Sequence, residues 1–147
     1  MSFLPNKTIV VPVDFSPCSA PAIRTALELV DSPANVHVIH VIPPLSPVSP
    51  IGVWGDEDVE QKLVDNAKTY LDTFLASNEI EGVTTVVEIG PDGTRIVEYA
   101  DEHKADLVVI PSHGHSGLKR ALLGSVAERV IRHANCPTLI LRRESAE

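Results

Sequence analysis

The sequence predicts an α/β fold, a single doubly wound, five-stranded parallel sheet with helices on both faces. Five short apolar runs rich in β-branched residues recur along the chain, and four amphipathic helical patterns separate them. Their alternation, β-α-β-α-β-α-β-α-β, calls for right-handed crossovers and hence a parallel sheet covered on both sides. At 147 residues the chain has the length of one ordinary domain, residues 1–147 with a core at about 7–143.

The first run, Thr8 to Val13, is almost wholly apolar, as a strand buried on both faces must be. The others are Val36 to Val41, Val83 to Val87, Leu107 to Ile110 and Thr138 to Leu141. In the first helix Ala22, Ile23, Ala26, Leu27 and Val30 share a face. Ser16 followed by Pro17 reads as an N-cap with proline at the first position, but Pro21 then falls inside the helix. The helix therefore either starts with a distorted turn or starts near Ser19. The second helix is expected from about Asp56 to Ala76, with Val59, Leu63, Ala67, Tyr70, Leu71 and Phe74 at helical spacing behind an acidic start. The third, about Gly93 to His103, buries Ile96, Val97 and Ala100; the fourth, about Ser125 to His133, buries Val126, Val130 and Ile131. Asp92 and Gly124 mark their entries. Four prolines between Pro43 and Pro50 argue against regular structure at the start of the segment after the second strand, which reads as a loop over the crevice.

The expected strand order is 3-2-1-4-5, Rossmann-like without the last strand. Ligands of such sheets bind beyond the strand C-termini, where the winding reverses beside strand 1. Three segments converge there: Pro12, Val13 and Asp14 after strand 1, Val41 at the end of strand 2, and Pro111, Ser112, His113 and Gly114 after strand 4. The last leads through Gly117 to Gly124, Ser125 and Val126 at the start of helix 4. Glycines permit close backbone approach, and amides at a helix start point toward an incoming anion, so phosphate is the natural tenant. Asp14 would repel phosphate but can accept a hydrogen bond from an adenine amino group, which orients the base toward strand 1.

Composition narrows the function classes. The hydrophobic share of 44% and charged share of 22% are those of a folded globular chain. No run approaches the roughly 18 apolar residues of a membrane span, and the N-terminus lacks the pattern of a signal peptide. Two cysteines, Cys18 and Cys136, fit a reducing compartment, so a cytoplasmic location is expected. The net charge of -8 disfavours nucleic acid and anionic lipid as partners. Half of the twelve basic residues nonetheless fall between Lys119 and Arg143, beside the Gly-rich segment or scattered on solvated faces. The His113-Gly-His115 pair lacks a third ligand at motif spacing, so no metal site is expected. His37 and His40, on an inner strand, read as packed or hydrogen-bonded.

On these residues the sequence resembles the universal stress protein family, specifically its ATP-binding branch, from Lys7 to Arg143. The motif of that branch is Gly-x2-Gly-x9-Gly-Ser/Thr; here Pro111-Ser-His-Gly114 is followed by nine residues and Gly124-Ser125, with proline for the first glycine. Val11-Pro-Val-Asp-Phe-Ser16, His40-Val41 and Leu122-Leu-Gly-Ser-Val-Ala127 also match. The resemblance implies that Asp14 and Val41 contact the adenine, residues 111–114 the ribose and adjoining phosphate, and Gly124, Ser125 and Val126 the phosphate chain. It implies ATP, with magnesium, as ligand and a homodimer paired through Thr138 to Leu141. Proline offers no N–H and cannot take positive φ, so affinity should drop if the motif glycine is needed against the ribose and change little if only its carbonyl is used.

The expected function is a regulatory, stress-response ATP-binding protein. The alternative is a dimeric interaction module of the same family that binds no nucleotide. A nucleotidyl-transferring enzyme would need a cosubstrate and pyrophosphate release. No catalytic base is expected beside the phosphates, because Asp14 lies at the other end of the site and Glu128 projects from a helix, so any hydrolysis should be slow.

Overall fold

The computed structural model describes residues 5–44, 57–112 and 123–142. Its strands are β1 (Ile9–Pro12), β2 (Val36–Ile42), β3 (Thr84–Ile89), β4 (Leu107–Pro111) and β5 (Thr138–Leu141). Its helices are α1 (Ser19–Leu27), α2 (Glu57–Ser77), α3 (Asp92–Glu102) and α4 (Ser125–His133), with one 3₁₀ turn at Pro33–Asn35. All strand pairs are parallel and the order is β3-β2-β1-β4-β5, as the sequence predicts.

The alternation of side chains along β1 divides the core in two. Ile9, Val11 and Val13 face α1 and α2, where they meet Ile23, Val36, Val38, Leu71 and Val109. Val10 faces α3 and α4, where it meets Ile39, Val108, Ile96 and Val130. Ile9, Val10 and Val11 have no exposed surface, which explains why this strand reads as a continuous apolar run. Asp106 ties its start: the carboxylate accepts the amides of Lys7 (2.9 Å) and Thr8 (3.0 Å), so β1 and β4 begin level.

The first helix takes the later of its two possible starts. Ser16 to Cys18 form a turn closed by the Ser19 amide on the Ser16 carbonyl (3.0 Å), and α1 begins at Ser19. Pro21 is then its third residue, where an amide hydrogen would have no intrahelical acceptor. Ser16 is not the cap; its hydroxyl is buried without a partner.

Two expected core residues lie outside. Tyr70 is 60% exposed and Ile131 43% exposed, while Leu75 and Ala127 are buried instead. Both helices cover outer strands, and a residue at helical spacing meets the core only where there is sheet beneath it. Asp92 opens α3 from inside, as its first residue, and accepts the Gly93 amide at 2.8 Å. Asp56, the expected start of α2, and most of the proline-rich segment expected to loop over the crevice, residues 45–56, lie outside the described residues.

Candidate functional site

β1 sits between β2 and β4, so the chain winds outward in both directions from this strand. The winding reverses there, and the crevice beyond the β1 and β4 C-termini is the expected ligand position. Its opening has a covalent cause. Alternate residues of a strand direct their N–H and C=O to opposite neighbours. Val13 donates to the Ile39 carbonyl in β2 (2.9 Å), so the even-numbered residues of β1 face β4. Ser112 donates to the Leu141 carbonyl in β5 (2.8 Å), so the odd-numbered residues of β4 face β1. Pairing of β1 with β4 ends at Val10↔Val108. The next rung would need amide hydrogens from Pro12 and Pro111, and proline has none. Pro111 thus costs the β4–β5 ladder nothing and leaves its place in the crevice wall without a donor.

One wall carries an oriented carboxylate. Asp14 is exposed at the end of β1, and its Oδ1 accepts the Ser16 amide (2.9 Å) and the Ser19 hydroxyl (3.2 Å). The first bond is an Asx turn, in which a short acidic side chain closes on the amide two residues ahead. The Ser19 hydroxyl also lies 3.3 Å from the Asp14 amide nitrogen, which donates to it. Phe15 follows at φ 64°, an uncommon conformation for a residue with a bulky side chain. Its ring packs against His40, Tyr70 and Phe74 at centroid distances of 4.6, 4.7 and 5.4 Å. His40 Nδ1 is 2.9 Å from the Val13 carbonyl. Since a carbonyl can only accept, that nitrogen bears the proton. Val41, 8% exposed, turns to the opposite face and packs with Ile39 and Ile110.

The other wall is the start of α4. Gly124 has extended geometry and donates to the Ser112 carbonyl at 2.6 Å, which fastens the helix start to the end of β4. The first intrahelical bond runs from Glu128 to Gly124. The amides of Ser125, Val126 and Ala127 therefore have no acceptor within the helix and present an anion-binding end. An acidic acceptor at one wall and helix amides at the other give the crevice an acceptor end near β1 and an anion-binding end at α4.

The structure thus brings Pro12, Val13, Asp14, Pro111, Ser112, Gly124, Ser125 and Val126 to one end of the sheet, with Val41 near the end of β2. His113, Gly114, His115 and Gly117 lie outside the described residues, as do Lys119 and Arg120. Among the described residues no three His, Cys, Asp or Glu side chains form a metal-binding group. Nor is any helix there long and apolar enough to cross a membrane. A shallow hollow lined by Asp72, Leu75, Glu79 and Val83 lies at the opposite end of the sheet.

Sequence reading named Ser19 only as a possible helix start and Phe15 only within a matching string, and it expected His40 to be packed or hydrogen-bonded without finding its partner, Val13. The Asp-x-Ser string of an Asx turn could have signalled the turn, but the histidine lies 27 residues from its acceptor. Away from the crevice, His37 Nδ1 meets the Tyr99 hydroxyl at 2.7 Å, and burial followed by the nearby His103 lowers its pKa. Burial, reinforced by Glu88 and Glu102, raises the Tyr99 pKa. Arg95 binds Glu88, Glu98 and Glu102 on α3 and β3, an ion-pair cluster that raises its own pKa further. Cys18 and Cys136 are both free thiols, and burial, then Asp101 and Asp106, raise the Cys136 pKa.

A family model described as the universal stress protein family matches residues 5–142. The chain belongs to the universal stress protein family. Among its curated relatives, universal stress protein MJ0531 of Methanocaldococcus jannaschii is 36% identical over 144 residues, which cover 96% of this chain and 85% of the relative. Universal stress protein G of Escherichia coli O157:H7 is 35% identical over 141 residues, 92% of this chain and 99% of the relative. Among solved structures, MJ0577 of M. jannaschii matches this universal stress protein with a TM-score of 0.74 at 26% identity, over 97% of this chain and 100% of that one. A universal stress protein of Archaeoglobus fulgidus, in complex with dAMP, matches with a TM-score of 0.60 at 25% identity, over 93% and 98% of the two chains.

Proposed function

We propose that this universal stress protein is a single-domain, cytoplasmic regulatory protein of the stress response that binds ATP with magnesium and acts through nucleotide-dependent conformation or partner binding. The observation that carries the proposal is the pairing, across the proline-bounded gap between β1 and β4, of the oriented Asp14 carboxylate with the α4 amides that have no acceptor inside the helix. Asp14 and Val41 hold the adenine, with Pro12 and Val13 as the adjoining wall. Pro111, Ser112, His113 and Gly114 flank the ribose and first phosphate; Gly117, Gly124, Ser125 and Val126 receive the phosphate chain. Magnesium neutralises charge on the phosphates. The dAMP complex of the A. fulgidus relative supports an adenine nucleotide as the ligand class. Any hydrolysis is slow, since neither Asp14 nor Glu128 is a base beside the phosphates.

A second reading, a nucleotide-free interaction module, is favoured by Pro111, which removes a donor from the wall where the ribose would lie. In both readings the protein is a homodimer joined along β5, an edge strand on which Leu139 is 36% exposed. Such a contact is isologous, each β5 pairing with its two-fold mate. Calorimetric titration with ATP and magnesium decides between the readings. Saturable binding supports the first, and absence of heat at millimolar ATP sinks it.

A further inference from the structure

Three observations meet at His40. Its Nδ1–H donates to the Val13 carbonyl across 2.9 Å, while the Val13 amide donates to the Ile39 carbonyl, so both polar backbone atoms of Val13 are fixed from β2. Its ring lies 4.6 Å from that of Phe15. Phe15 holds positive φ, which persists at a non-glycine residue only where the surroundings impose it. Asp14 stands between these two anchored residues, with its carboxylate restrained from the other side by Ser16 and Ser19.

We propose that His40 is a positioning residue for the nucleotide site, one that holds the turn from Val13 to Phe15 so that the Asp14 carboxylate faces the adenine. The proposal rests on the nucleotide-binding reading above. His40 itself touches no ligand: it acts through the Val13 carbonyl and the Phe15 ring. His37, on the same strand, turns to the opposite face and bonds Tyr99, so it serves as the internal control.

The test compares full-length variants. Asparagine can place a donor near the position of Nδ1, phenylalanine keeps the ring without a donor, and glutamine places its amide farther out. His40→Phe and His40→Gln are expected to weaken binding of ATP with magnesium about tenfold, the scale of one hydrogen bond. His40→Asn should stay within about threefold of wild type, and His37→Gln should match it. In ligand-free protein, amide exchange at Asp14 and Ser16 should quicken in the first two variants while Val10 and Val11 stay protected. Adding His40→Phe to Asp14→Ala should cost no further affinity. Unchanged exchange at Asp14 and Ser16, equal losses in His40→Asn and His40→Phe, or additive losses in the double variant would each overturn the proposal. If wild-type protein binds no ATP, the nucleotide reading falls, and exchange at Asp14 and Ser16 decides separately whether His40 holds the turn. His40→Gln serves should His40→Phe fail to fold.

Discussion

Replacing Pro111 with glycine returns one amide hydrogen to the wall of the crevice. By register that hydrogen points toward β1, where Pro12 has no amide hydrogen to offer in return. If the nucleotide takes it, the gain is one hydrogen bond, about 0.5–1.5 kcal/mol, or roughly 2- to 12-fold in affinity. The unfolded chain gains freedom at the same time, which costs stability on the order of 0.4–1 kcal/mol. Pro111→Gly is therefore expected to bind ATP several-fold more tightly and to melt slightly earlier. Calorimetry with ATP and magnesium measures the first effect, and a thermal scan without ligand measures the second. Amide exchange separates the acceptors: the amide restored at position 111 should become protected only when nucleotide is added. Protection already in the free protein, with affinity unchanged, would show that this amide has bonded the Pro12 carbonyl instead, and would refute the reasoning.

Other consequences can be measured independently of the nucleotide. Native His37 has a pKa below its unfolded value of 6.5, so the unfolded chain binds the extra proton first. Its contribution is complete above that value and is lost as pH falls toward the native pKa; His37→Gln should flatten urea-derived stability between pH 7 and 5, and an unchanged slope would rule this out. A Cβ at Gly93 would lie 2.7 Å from Arg129 Cδ and 3.0 Å from its Cβ. Gly93→Ala should therefore lose about 1 kcal/mol despite better helix propensity. Combining it with Arg129→Ala should recover part of that loss, and strict additivity of the two melts would dismiss the clash. Leu71, fully buried between α2 and the sheet, should cost about 2–5 kcal/mol when cut to alanine, read from denaturant midpoints. Leu139→Lys should shift sedimentation toward the monomer; a monomeric wild type would dispose of the β5 dimer.

The apolar runs made the sheet legible because buried parallel strands leave a signal needing no knowledge of partners. All five appeared within two residues of their observed bounds, and their alternation with helices led to the order 3-2-1-4-5. Helical periodicity was less complete, since it shows which residues share a face but not where the sheet beneath that face ends. Tyr70 and Ile131 are the result. At the site, Asp14, Gly124 and Ser125 could be picked out because their chemistry is local: an acid after a strand, a glycine and serine opening a helix. The facing of Pro12 and Pro111 could not, because it depends on register between strands nearly a hundred residues apart. That His40 is hydrogen-bonded was expected, but its acceptor, Val13, escaped because it lies on the neighbouring strand, 27 residues away.

The truncated pairing of β1 with β4 also divides the sheet mechanically. Two residue pairs join these strands, against four between β1 and β2, six between β2 and β3, and four between β4 and β5. Shear applied across the sheet meets its shortest ladder at this seam, with β1, β2 and β3 on one side and β4 and β5 on the other. A ligand spanning from Asp14 to α4 would act as a clasp across the seam, resisting separation of the two blocks.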